Sequence, residues 1–127
     1  MIVNAIIERA TITNGERGIL ESWLFVDYGG SGQGFGGFAL YLPKSFKHAT
    51  IAGDFAGHWI YRVLAVAGTD DWAKLPGRTI RVRKPDEFGR IEAIGHIIRD
   101  DWFDPAADFA RMRLPVNESA QRLEVPK

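Results

Sequence analysis

The sequence predicts an α+β domain. We expect an antiparallel sheet of about five strands, in the order β-β-β-α-β-β, with one long helix packed on it and short terminal helices. Three observations carry this expectation. Residues 2–13, IVNAIIERATIT, and 19–28, ILESWLFVDY, are rich in β-branched and aromatic residues. Residues 50–67, TIAGDFAGHWIYRVLAVA, switch to a helical period, and residues 78–84, RTIRVRK, return to strict alternation.

The first strand is expected over 2–13 and ends at NGERG (14–18), where Asn-Gly signals a turn. The second, 19–28, carries Leu20, Leu24 and Val26 on one face and Trp23 and Phe25 on the other. A strand apolar on both faces is usually covered on both. A glycine-rich loop follows, and then FALYL (38–42) reads as the third strand, ended by Pro43. In the long helix, Ile51, Phe55, Trp59, Ile60, Val63, Leu64 and Ala67 share one stripe, and Gly68 is a C-terminal stop. Gly53 and Gly57 thin one face of it, which suggests close packing against a neighbouring element. TDDWAKLPG (69–77) reads as a short helix capped by Thr69 or Asp70 and ended by Pro76-Gly77. In 78–84, Ile80 and Val82 point inward and Arg81 and Arg83 outward. PDEFG (85–89) is a turn, residues 90–103 begin as a strand, and AADFARM after Pro105 is a short helix. The domain is placed at 1–114, and the apolar-poor residues 115–127 are expected to form a loosely ordered tail.

The chain has 127 residues, 46% hydrophobic and 25% charged, which is the size and composition of one domain with one core. Its formal net charge is zero, so composition gives no support for bulk electrostatic binding to DNA, RNA or an acidic membrane. The absence of cysteine excludes disulfides, thiolate nucleophiles and cysteine-ligated zinc. No run approaches the roughly 20 apolar residues of a membrane span, and MIVNAIIERATI turns polar too early for a signal peptide. A soluble, cytoplasmic protein is expected.

Three constellations are candidates for chemistry. In the stretch GGSGQGFGGF (29–38), Gly32, Gln33, Gly34, Phe35, Gly36 and Gly37 fit the nucleotide pattern G-x-G-x-x-G. A dinucleotide fingerprint needs a helix after the glycines to receive the pyrophosphate, and FALYLP has strand character instead. A Walker reading fails for want of Gly-Lys-Ser/Thr. Two readings stay open. One is a ligand-free glycine-rich turn or bulge. The other is a nest of backbone N–H groups for an anion, with Gln33 as a hydrogen-bonding side chain and Phe35 as a stacking surface. The second constellation, His96 with Asp100, Asp101 and Asp104, can hold a divalent metal or can simply serve turns and caps. The third is the basic set Arg78, Arg81, Arg83, Lys84, Arg90 and Arg99. Arg81 and Arg83 share a strand face about 7 Å apart, a spacing that suits either a phosphate clamp or a solvated face with cross-strand pairs such as one to Glu92. No serine–histidine–aspartate arrangement is legible.

DYGGSGQGFGGFAL (27–40), IYRVLAVAGTDDWAKLPGRTIRV (60–82) and IEAIGHIIRDDWFDP (91–105) together resemble a group of small phage and prophage proteins. In that group a glycine-rich G-x-G-Q-x-F-G-G loop, a helix followed by W-x-x-L-P-G, and an I-G-H-I-I-x-D-x-W-F segment recur in order. The resemblance spans the chain apart from the tail and parts of residues 43–55. The group is similar to the first described Thoeris anti-defence family. That resemblance implies a non-enzymatic sponge that holds a cyclic ADP-ribose signal, or cyclic oligonucleotides, without cleaving them. It also implies a homo-oligomer built from dimers, in the cytoplasm of a bacterial host. LYLPKSFKHAT (40–50) departs from the more acidic segment of the group, which puts contacts there in doubt.

The ligand-binding set that follows is Gly32, Gln33, Gly34, Phe35, Gly36, Arg81, Arg83, His96, Arg99, Trp102 and Phe103, with no catalytic residue, metal or cofactor. The rival expectations are a metal-dependent phosphodiesterase using His96 and the nearby aspartates, and a phage inhibitor that binds a host protein.

Overall fold

The computed structural model describes residues 1–15, 18–40 and 54–113. They form an α+β fold. Strands β1 (Ile2–Asn14), β2 (Leu20–Asp27), β3 (Gly32–Gly36), β4 (Thr79–Arg83), β5 (Ala93–Gly95) and β6 (Trp102–Phe103) make one sheet, accompanied by helices α1 (Phe55–Ala67) and α2 (Pro105–Met112). The strand order is β3-β2-β1-β4-β5-β6, six strands where about five were expected. Every neighbouring pair is antiparallel.

The long N-terminal strand organises the sheet. β1 pairs with β2 along one side and with β4 along the other, with Ile7 opposite Val26 and Ala5 opposite Ile80. A register shift between Ile7 and Arg9 leaves Glu8 as the extra residue of a bulge. On the covered side Ala5, Ile7, Leu24, Val26, Ile80 and Val82 are buried. This is the alternation that RTIRVRK and ILESWLFVDY display.

Helix α1 packs on that side. Its buried residues are Phe55, Trp59, Val63, Val66 and Ala67, and Ile60 and Leu64 border the same core. Phe35 stacks on Trp59 at 5.5 Å between centroids, and Phe103 meets Trp59 edge-on at 5.6 Å. The Asp54 carboxylate caps the helix by accepting from the Gly57 amide, and Gly68 ends it in the left-handed conformation (φ +72°). Among the described residues, the atoms nearest to a Cβ at Gly57 are those of the folded-back Asp54 side chain, for which the glycine makes room. Helix α2 begins at Pro105, is capped by Asp104, and buries Phe109 against Phe55 at 4.7 Å.

Three expectations shift. The glycine-rich segment is not a loop: Gly32–Gly36 is itself the third strand, and Phe38–Leu40 beyond it carries no regular structure. Alternating Gln33, Phe35 and glycine satisfy a strand because only one side of it is covered. The short element after α1 is a 3₁₀ turn, Trp72–Lys74, capped by Asp71 rather than by Thr69 or Asp70. The single strand expected from residue 90 is two short ones, since His96–Asp101 form a turn between β5 and β6. The expected helix start at 50–53 (with Ile51 and Gly53), the strand end at 41–42 and the tail 115–127 lie outside the described residues.

Candidate functional site

Helix α1 covers one side of the sheet, and the strand period of two decides what faces the other. On that side, cross-strand pairing aligns Gly36 with Trp23, Gly34 with Phe25 and Gly32 with Asp27 on β3 and β2, and Gly95 with Arg81 and Trp102 on β4 to β6. The sequence-expected residues separate by parity. Gly32, Gly34, Gly36, Arg81, Arg83 and Trp102 lie on the other side, which no described helix covers, here called the uncovered side. Phe35 and Phe103 are buried in the core.

Those on the uncovered side divide again by distance. β3 and β4 are three strand spacings apart and β3 and β6 five, about 14 and 24 Å. The glycine strand and the Arg81–Trp102 cluster are thus two separate places on one chain.

The Arg81–Trp102 cluster is tied up internally. Arg81 donates through Nε to the His96 carbonyl (2.8 Å) and through Nη2 to the Arg99 carbonyl (2.8 Å). Arg83 pairs with Asp104 at 3.0 Å and, more loosely, with Glu92 at 3.8 Å. Both guanidinium groups lie over Trp102, at 4.9 and 5.8 Å from its centroid, and the ring rests on Gly95, where a Cβ has no room. His96 Nδ1 accepts from the amides of Ile98 and Arg99, both at 3.0 Å, so its ring closes the turn. Asp101 accepts from Arg62 at 2.6 Å, and this hydrogen bond, with the nearby positive charge, holds its carboxyl below the usual carboxylate range. Asp104 is occupied by Arg83 and by the α2 cap. His96 and these aspartates therefore serve the turn, the ion pairs and the cap, and among the described residues no group of three histidine, aspartate or glutamate side chains is placed to hold a metal. Arg99 is exposed beside Lys74, Arg78 and His96, at the open C-terminal end of α1.

The glycine strand differs. It is an edge of the sheet. The hydrogen bonds Tyr28 N to Ser31 O (3.0 Å) and Gly37 N to Ser22 O (2.9 Å) bracket its ladder with β2. Antiparallel alternation then gives the ladder bonds to Gln33 and Phe35. The N–H and C=O groups of Gly32, Gly34 and Gly36 point the other way, toward the free edge. In an extended strand successive N–H groups diverge, so the expected nest does not form here.

The bare Cα atoms have a local cause. A Cβ on Gly34 would stand 3.0 Å from Trp23 Cε3 and 3.5 Å from Phe25 Cε1. Trp23 and Phe25 stack at 6.3 Å and lean over the glycines, with the Arg9 guanidinium 4.0 Å above the Phe25 ring. Gln33 points to the covered side, where its amide donates to the Gly89 carbonyl (3.2 Å) and accepts from the Ile91 amide (2.6 Å). It fixes the β4–β5 loop against β3, and that loop brings exposed Arg90 to the same edge.

Trp23, Phe25, Gly34, Gly36, Gly37 and Arg90 line a groove of about 660 Å³. It offers two stacked rings, a strand edge with no described strand beyond it, and a guanidinium with no hydrogen bond or ion pair to a described residue. Those groups suit a planar ligand that carries negative charge. Sequence reasoning left Trp23, Phe25 and Arg90 out of the ligand set. The signal for the two aromatics is their alternation away from Leu24 and Val26 on a strand, and it gains meaning only because no described helix covers that side.

No protein-family model, curated protein or solved structure matches the chain. Among the described residues no helix is long and apolar enough to cross a membrane.

Proposed function

We propose that the protein binds a small cyclic nucleotide signal and sequesters it uncleaved, and that it is a phage anti-defence protein acting in the cytoplasm of the bacterial host. One observation carries the binding part: a glycine edge strand lying under Trp23 and Phe25, beside the uncommitted Arg90. A nucleotide has a base face to stack, base edges to hydrogen-bond and phosphates to pair with arginine, and the groove supplies a partner for each. The identity of the signal, a cyclic ADP-ribose isomer or a cyclic oligonucleotide, rests on the resemblance of the glycine, W-x-x-L-P-G and I-G-H-I-I segments. So does the homo-oligomer.

The test is capture and release. Excess protein is incubated with cyclic ADP-ribose isomers and cyclic dinucleotides, then heat-denatured, and the released nucleotide is identified by mass. Intact nucleotide is the expected result. Linear product would replace sequestration by phosphodiester hydrolysis, and a failure of every nucleotide to bind would favour an inhibitor that docks on a host protein. Gly34→Val is expected to abolish capture in a folded protein, because its methyl groups would displace the Trp23 ring. Arg90→Ala is expected to weaken capture about tenfold or more, as for a charge-assisted hydrogen bond of about 1.5–3 kcal/mol. Gln33→Ala acts only indirectly, through the position of the loop that carries Arg90.

A further inference from the structure

A second hollow, of about 530 Å³, lies where the β2–β3 turn meets the β4–β5 loop, bordered by Val3, Tyr28, Ser31, Lys84, Glu87 and Phe88. Lys84 is only 3% exposed. Its ammonium donates to the Glu87 carbonyl at 2.7 Å and to Tyr28 Oη at 3.2 Å, and lies 4.4 Å from the Tyr28 ring centroid. All three contacts are neutral. An ammonium has three N–H donors, and a buried one normally has a counter-charge. Among the described residues Lys84 has no carboxylate partner. Glu87 gives it a backbone oxygen, while its own carboxylate forms no ion pair with it.

Two further donors border the hollow. Tyr28 Oη accepts from Lys84, which leaves its O–H to donate outward, and the Ser31 side chain is exposed at the turn. Phe88, on the rim, is 90% exposed although it is a large apolar ring. The backbone that sets this geometry is fixed by the Gln33 clasp on Gly89 and Ile91 and by the Lys84 amide, which donates to the Met1 carbonyl at 2.8 Å.

We propose that this hollow is a second binding site, for a small organic anion that carries a planar ring. The carboxylate or phosphate group supplies the counter-charge of Lys84 and takes the Tyr28 and Ser31 hydroxyls, and the ring lies against Phe88. Glu87 sets the weak limit of the site, since its carboxylate repels the ligand from the rim. The site is distinct from the groove under Trp23 and Phe25, although Gln33 borders both.

The experiment is a titration followed by amide NMR, with benzoate and phenyl phosphate as ring-bearing carboxylate and phosphate, inorganic phosphate as the anion without a ring, and benzyl alcohol as the ring without charge. Saturable shifts at Gly29, Ser31 and Phe88 are expected with benzoate, phenyl phosphate or both, and the stronger of the two names the anion. Inorganic phosphate should bind more weakly and benzyl alcohol not at all. Lys84→Met is expected to cost about tenfold or more, Phe88→Ala to weaken only the ring-bearing anions, and Glu87→Gln to tighten both. The absence of such shifts up to about 10 mM, or shifts unchanged in Phe88→Ala and Glu87→Gln, overturns the site. These two variants alter exposed side chains, so they decide the matter even if Lys84→Met does not fold.

Discussion

Individual glycines in the β3 segment have different reasons to be glycine, and the difference is measurable. Gly36 has φ +136°, and a Cβ there would collide with the Ser22 carbonyl oxygen. Gly34 has ordinary strand dihedrals, and its Cβ would press only on the half-exposed Trp23 ring, which can shift. Gly36→Ala is therefore expected to destabilise the fold by about 1–3 kcal/mol, and Gly34→Ala by less than about 1 kcal/mol. Urea denaturation of the two variants checks the order; equal losses would remove the distinction between a backbone role and a surface role. Asp101 gives a pH prediction at the same scale. Arg62 lowers its folded pKa below the ordinary 3.8, so its stabilising contribution is complete above that value and is lost as pH falls through the folded one. Asp101→Asn should be less stable than the wild type at neutral pH, and the gap in Tm should close in acid. A gap that stays constant from neutral pH into acid would mean that the Arg62 pair contributes nothing.

At the scale of elements, the helices owe their starts to single carboxylates. Asp54 accepts from Gly57 N at 2.8 Å and Asp104 from Ala107 N at 3.1 Å. Asp54→Ala should cost about 1 kcal/mol, the usual value of an N-cap. Asp104→Ala should cost more, because the same side chain also pairs with Arg83 and so joins α2 to β4. The double cycle with Arg83→Ala, read by thermal denaturation, isolates that pair; additive losses would show that only the cap counts. His96 acts on the β5–β6 turn in the same way, through two amides on one ring nitrogen. This explains why a segment that reads as a metal constellation in sequence is a turn in three dimensions. Histidine and aspartate serve hydrogen bonds and caps as readily as they serve metals, and sequence proximity does not say which.

At the scale of the molecule, the uncovered side of the sheet carries Ile2 at 53% and Ile6 at 49% exposure, together with the half-exposed Trp23 and Phe25. Apolar side chains in this number on one face agree with the proposed homo-oligomer. Light scattering at micromolar concentration should give a mass above the 14.2 kDa of one chain; a clean monomer would count against the oligomer.

The α+β class, the inward Ile80 and Val82, the stripe of α1 and its stop at Gly68 were legible in the sequence, because each depends on the period of its own segment and on local sterics. The assignment of GGSGQGFGGF was not. A glycine run has no side-chain pattern to declare a strand, and Gly32–Gly36 is one only because β2 supplies its ladder and two aromatic rings lean onto its bare Cα atoms. The fate of each candidate likewise turned on neighbours distant in the chain. Gln33 meets Gly89 and Ile91, Arg81 meets the carbonyls of the β5–β6 turn, and Lys84 is buried beside Tyr28. Residue type and spacing determine which secondary structure a segment prefers. Which side of the sheet the helix covers, and therefore which arginines are spent and which aromatics stay open, is settled by non-local packing alone.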